Sequence, residues 1–256
     1  MYRQFTADDY RKHLGLATDY SIEGFIVFGS FKRYPYEMLK DSLLRLGRKA
    51  EFSNIEHEFL NPILEFKIDG EVYWFAIAYG GALLSEYLHL ACLFGSKKNI
   101  LLGSCGGLKK GASSREILIP TWSHAQESSA KAYQPEAGHK YESDAGLSER
   151  LAGKLEQEYK VHRGPTVTYQ AMMAETWEDV LSWAEQGYFG VEMEAATVFA
   201  TSRHFKVPAA AILRIGDNLI EKETVLDINY EKEKDLRRKA SEDTFDVALE
   251  EIISKQ

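Results

Sequence analysis

The sequence predicts an α/β fold: a single domain of three layers, with helices on both faces of a twisted, mixed central β-sheet. Two observations predict it. Short apolar runs rich in β-branched and aromatic residues alternate with helical periodicity from end to end, the pattern of strands joined through helices. No internal repeat, low-complexity tract or linker rich in Pro, Gly or Ser divides the 256 residues, so one domain over 1–256 is expected, opened by an N-terminal extension over 1–20.

Each element follows from its local pattern. Residues 24–29 (GFIVFG) read as the first strand and 36–46 as a helix. Residues 63–68 and 72–79 read as two strands, and the Asp69-Gly70 pair between them is a strong hairpin signal. A helix over 83–94 leads to strands at 99–103 (NILLG) and 116–120 (EILIP). Residues 123–146 mix Ser, Gly, Pro and His without a period; a loop-rich excursion is expected there, of the kind that often covers a ligand. Beyond it, helices at 147–159, 177–186 and 194–205 alternate with strands at 165–169, 188–192 and 209–215 (AAAILRI). A charged amphipathic stretch then runs from 227 to 253.

Composition narrows the function classes. Hydrophobic residues make up 45% and charged residues 27%, which excludes a disordered chain, and 2 Cys exclude a disulfide scaffold. With 39 acidic against 31 basic residues the net charge is −8, so no long-range field draws the molecule to nucleic acid or to an anionic membrane. A small ligand is expected instead. No run approaches the roughly 20 apolar residues of a membrane helix, and the opening MYRQFTADD is too polar for a signal peptide, so a cytoplasmic location is expected. Cys92 and Cys105 have neither metal-site nor redox-motif spacing and read as reduced thiols.

Three predicted strands exit in small or special residues, at 28–33 (FGSFKR), 102–107 (LGSCGG) and 214–218 (RIGDN). In open α/β sheets ligands bind beyond the carboxyl ends of the strands, so these exits are candidates for one pocket. Glycine lets backbone N–H groups approach an anion, and Ser104 and Arg33 supply directional donors to phosphate oxygens. Neither Gly-rich turn has the Walker or GxGxxG spacing, so a dinucleotide or nucleoside triphosphate site is unsupported. The most informative stretch is 190–196 (GVEMEAA), where Glu192 and Glu194 flank Met193 inside an apolar strand-to-helix passage. Burial makes such acids costly unless they have partners. One acid at a helix start would merely suit the macrodipole; two point to a site.

On these residues the chain is similar to the nucleoside phosphorylase superfamily, which holds purine nucleoside phosphorylases, uridine phosphorylases and related nucleosidases. GVEMEAA matches that family's ribose-binding motif residue for residue. Residues 103–106 (GSCG) resemble its central phosphate loop, and 215–218 (IGDN) the segment with the purine-type catalytic aspartate, within weaker similarity from about 25 to 218. The resemblance implies that Glu194 holds the ribose 2′- and 3′-hydroxyls with Met193 packed on the sugar, and that Glu192 and Met172 belong to the base side. It makes Asp217 the general acid at the purine N7, a role that needs a carboxyl raised toward neutrality. Gly29, Arg33 and Ser104 would hold phosphate, with Arg48 as the ligand that many members borrow from a neighbouring subunit.

The chain also departs from the family. The family pattern Gly-Asp-Pro-x-Arg stands here as Gly29-Ser30-Phe31-Lys32-Arg33, and Leu101 replaces a family arginine. That replacement removes a charge-assisted contact worth ~1.5–3 kcal/mol. Gln170, Met172 and Ala174 replace an acid, an aromatic and an arginine of the base-binding stretch, and His124 is the candidate substitute in an otherwise Arg-bearing loop. Simple strand alternation points Arg214 away from the face that bears Asp217. The expected activity is phosphorolysis of a nucleoside, in first place a purine nucleoside, to free base and ribose 1-phosphate. The partners are the nucleoside and phosphate as co-substrate, with no metal, organic cofactor, nucleic acid or membrane, in a homo-oligomer between dimer and hexamer. A nucleosidase using water, a uridine-type phosphorylase and a non-catalytic nucleoside-binding regulator are the alternatives.

Overall fold

The computed structural model describes all residues except 31, 59, 127, 225, 227–231 and 255–256, so Phe31 and the start of the charged stretch lie outside the described residues. After α1 (Ala7–His13) come β1 (Gly24–Gly29), α2 (Pro35–Arg45), β2 (Glu51–Ile55), β3 (Ile63–Ile68), β4 (Glu71–Ala78), α3 (Gly81–Leu93), β5 (Asn99–Gly107) and β6 (Ile117–His124). The chain continues through α4 (Ala130–Tyr133), β7 (Lys140–Glu142), α5 (Ala145–Leu155), β8 (Val161–Thr168) and α6 (Trp177–Glu185). It ends with β9 (Gly190–Glu192), α7 (Ala195–His204), β10 (Ala209–Asn218) and α8 (Lys234–Ile253). Asp69 and Gly70 have φ of 51° and 88°, as a two-residue hairpin turn between β3 and β4 requires.

The sheet is mixed, in the order β10-β6-β8-β9-β5-β1-β4-β3-β2, with β7 added on β6. Strand β10 also pairs with β5, so β5, β10, β6, β8 and β9 close into a ring while β1, β4, β3 and β2 extend from it as an open sheet. The central strands bury both faces, which is why GFIVFG and NILLG read as unbroken apolar runs. Ile26, Ile100 and Ile212 pack with Leu39 of α2, Leu151 of α5 and Phe245 of α8. Their neighbours Val27, Leu101 and Leu213 pack on the other face with Leu84 and Leu88 of α3 and Phe199 of α7. Buried Lys98 donates from Nζ to the carbonyls of Glu251 (2.8 Å) and Ser254 (3.0 Å), pinning the end of α8 to the sheet.

Three features differ from the pattern-based expectation. Residues 123–146 are not one loop: Ser123 and His124 complete β6, and α4 and β7 follow. Strand β2 escaped notice because four of its five residues are exposed on the sheet edge, leaving no alternation to read. Helix α1 is started by a reciprocal cap, in which Asp9 N–H donates to Thr6 Oγ1 (3.3 Å) and Thr6 N–H to Asp9 Oδ2 (2.7 Å). The N-terminal extension is thereby ordered, and Tyr10, Leu14, Leu16 and Tyr20 pack on the core. No helix among the described residues is long and apolar enough to cross a membrane.

Candidate active site

The carboxyl ends of β1, β5 and β10 are adjacent in the sheet, and Glu194 sits at the junction of β9 and α7 facing the first of them. A methyl group built on Gly29 would lie 3.0 Å from Glu194 Oε2, so the carboxylate occupies the space a side chain would need. Oε1 accepts the Gly80 N–H at 2.7 Å. Gly80 has a φ of 78°, a left-handed conformation that glycine adopts freely, and it opens α3, whose first N–H groups have no helical partner. Gln170 completes the clamp: its Oε1 accepts from Gly81 N–H (2.9 Å) and its Nε2 donates to the Met193 carbonyl (2.8 Å). Glu194 is buried, and burial first, the nearby Glu192 charge second, push its carboxyl up to about 8.

Glu192 does not belong to the base side, and that expectation is corrected. Its Oε1 accepts from Thr168 Oγ1 (2.5 Å), Ser123 Oγ (3.0 Å) and Thr166 Oγ1 (3.2 Å). Its Oε2 accepts the N–H groups of Glu194 (2.7 Å) and Ala195 (2.6 Å) at the start of α7. Every acceptor position is used by the protein itself, so nothing is left for a ligand. The carboxylate fixes the backbone that carries Glu194.

Asp217 stands opposite Gly106 of β5, with a register slip between Ile215 and Asp217. That slip corrects the alternation argument. Arg214 opposes Ser104 and Asp217 opposes Gly106, two positions on in β5, so Arg214 and Asp217 face the same way. Burial lifts the Asp217 carboxyl to about 6, opposed by the charges of Arg214 and Arg237. Arg214 itself donates to the Ile215 carbonyl (3.1 Å) and to Ser241 Oγ (3.3 Å). Glu175, which sequence reasoning missed, rises to about 7 through burial and then the Asp217 charge. Its only sequence signal was an acid at the end of the base-binding stretch.

Other expected residues are distributed unequally. Ser104 is exposed on β5 between the Gly29 and Asp217 strands. Leu101, at the family arginine position, is 1% exposed and packs in the core, so it offers no polar contact. Arg33 is exposed and lines a cleft of about 500 Å³ together with Ser30, Lys32, Tyr36, Lys40 and Tyr79. Arg48 pairs with Asp69 (3.9 Å) at the β3–β4 turn, the opposite end of the sheet from Gly29, so it takes no part in the site of its own chain. Met193 is half-buried beside Glu194, whereas Met172 is 43% exposed in a short helical turn. His124 is a strand residue of β6, ring-packed on Tyr188 (5.7 Å) and His139 (6.0 Å), with burial lowering its pKa.

A family model of the phosphorylase superfamily matches residues 81–254. The chain is 29% identical over 118 residues to a guanosine phosphorylase of Halorubrum lacusprofundi, covering 46% of this chain and 49% of that protein, so it spans about half of that relative's length. The structure of a uridine phosphorylase from Vibrio fischeri ES114 matches with a TM-score of 0.72 at 14% identity, over 91% of this chain and 92% of that one. A 5′-methylthioadenosine/S-adenosyl homocysteine nucleosidase of Campylobacter jejuni matches with a TM-score of 0.71 at 15% identity, over 90% and 98%. At such identities the likeness is one of fold, common to a phosphorylase and a nucleosidase.

Proposed function

Because the chain belongs to the phosphorylase superfamily, we propose that it cleaves the N-glycosidic bond of a purine nucleoside with phosphate, giving free base and ribose 1-phosphate. The observation that carries the reading is Glu194, a buried carboxylate held by Gly80 N–H against the bare α-carbon of Gly29. A carboxylate so placed accepts both ribose hydroxyls and favours the positive charge that develops on the sugar. Phosphate, held beside Gly29 by Arg33 and Ser104, attacks C1′; the C1′–N9 bond breaks, its electrons leave with the base, and Asp217 delivers a proton to N7. The raised carboxyl of Asp217 supports that role, and the guanosine phosphorylase likeness supports a purine.

In this reading phosphate is the co-substrate, no metal or organic cofactor takes part, and the enzyme works in the cytoplasm. Protomers assemble as a dimer to hexamer in which Arg48 serves a neighbour's phosphate. One observation favours water as the acceptor instead: apolar, buried Leu101 removes a cation from the phosphate side. Incubation with guanosine, inosine, adenosine and uridine, with and without phosphate, tests the choice by released base. Phosphate-dependent release of a purine is expected; phosphate-independent release would make the protein a nucleosidase, and uridine as the sole substrate a pyrimidine enzyme.

A further inference from the structure

We propose that Asn218 is a positioning residue for Asp217: its side-chain amide locks the slipped register of β10 on β5 that turns the Asp217 carboxyl to the face of Arg214. The inference rests on the reading of Asp217 as the proton donor. Arg214 and Ile215 oppose Ser104 and Cys105, and Asp217 and Asn218 oppose Gly106 and Gly107, so Gly216 is the extra residue. Without the slip Asp217 would oppose Gly107, and a shift of one residue moves a side chain to the other face of a sheet. Packing alone specifies this end of the pair weakly. Gly106, Gly107 and Gly216 carry no side chains to interlock, and Leu219 lies against the bare α-carbon of Gly106, where a methyl would meet its Cδ1 at 2.6 Å. That contact is apolar and has no preferred direction.

Asn218 supplies the directional contacts. Its side chain is fully buried, and Nδ2 donates to the carbonyls of Ala112 (2.8 Å) and Lys109 (3.0 Å) in the segment that follows β5. The same nitrogen lies 3.1 Å from Glu221 Oε2, and Glu221 Oε1 accepts the Gly111 N–H at 3.0 Å. The amide thus ties the end of β10 and the helical turn Leu219–Glu221 to the chain leaving β5. Backbone conformation does not explain the residue, because Asn218 is extended, with φ −107° and ψ 93°, which any side chain adopts. Nor is the amide oxygen what the position uses, since Oδ1 accepts from no described residue. The two N–H donors are, and among side chains of this size asparagine alone provides two. Sliding β10 back by one residue would withdraw them from the carbonyls and leave a buried amide unpaired.

The test uses a substrate that needs no proton from Asp217. In 7-methylguanosine the methyl group on N7 makes the base cationic, so it departs as a neutral molecule without protonation. With phosphate present, kcat/KM for guanosine and for 7-methylguanosine is measured on the parent, on Asn218→Leu, which keeps the bulk and removes the donors, and on Asp217→Asn. Asn218→Leu is expected to lower kcat/KM for guanosine by roughly ten- to a hundredfold and for 7-methylguanosine severalfold at most. Equal losses on the two substrates, or unchanged guanosine kinetics, would overturn the inference. If Asn218→Leu fails to fold, Glu221→Ala at its exposed position carries the test: a severalfold loss selective for guanosine is expected, and a loss without selectivity overturns the inference. Should Asp217→Asn be selective for guanosine and the Asn218 and Glu221 variants not, only the positioning role falls. Should Asp217→Asn show no selectivity, or the parent cleave neither nucleoside, the reading of Asp217 falls and the inference with it.

Discussion

The carboxylate of Glu194 rests close on the α-carbon of Gly29: an added methyl would meet Oε2 at 3.0 Å and Cδ at 3.2 Å, contacts tight enough that the carboxylate must give way by a few tenths of an ångström. Gly29 is absent from the residues with positive φ, so alanine is acceptable to the backbone and the clash falls on the carboxylate alone. Gly29→Ala should lower kcat/KM by roughly ten- to a hundredfold through misplacement of the ribose ligand, while the Tm moves little. An unaltered kcat/KM would show that the position of Glu194 is not critical.

Glu192 acts one step further back. Glu192→Gln replaces an acceptor that serves five donors with a group that brings two donors of its own, into a site that is 4% exposed. The cost should be about 1–3 kcal/mol for each donor left facing a donor, measured by urea unfolding, and nucleoside affinity should weaken along with it. A variant as stable as the parent would mean that the network does not hold the start of α7.

Asp217→Asn keeps the shape and removes the proton. Turnover of a purine nucleoside should fall by ~10²–10⁴-fold, with Kd for the nucleoside changed only a few-fold. Loss of binding with turnover of the bound substrate intact would place Asp217 in recognition and take it out of proton transfer.

The two raised carboxyls set the pH dependence. Asp217, near 6, must hold its proton, and Glu194, near 8, must have lost its own. Below about 6 both are protonated and Glu194 cannot serve as a charged acceptor; above about 8 both are ionised and Asp217 has nothing to give. Between them the pair carries one proton, held mainly by Glu194, and the productive form with that proton on Asp217 is its minor tautomer; the fraction of that form still peaks midway, so kcat/KM should be bell-shaped with its maximum near pH 7. A profile that is flat from pH 5 to 9 would contradict these roles.

Most strands were legible because burial on both faces writes a continuous apolar run, as in GFIVFG, and the Asp69-Gly70 turn because its φ values select those residues. Strand β2 was not, since an exposed edge leaves polar residues in a paired conformation. Within the candidate site, the motif residues single out Glu194, Gly29 and Asp217, and the fold sets Glu194 against Gly29 and the strands of Gly29 and Asp217 on either side of β5. The Gln170 clamp, the role of Glu192 and the common facing of Arg214 and Asp217 were not legible. Each depends on which strand lies beside which, and on a register slip that local alternation cannot anticipate.

The most direct test compares Glu194→Ala with the parent on guanosine and on 2′,3′-dideoxyguanosine, reading kcat/KM for base release in the presence of phosphate. Only the riboside can use the two acceptor oxygens, so its kcat/KM should fall by at least tenfold more than that of the dideoxyriboside. Equal losses on the two substrates would contradict the assignment of Glu194 as the ligand of the ribose hydroxyls.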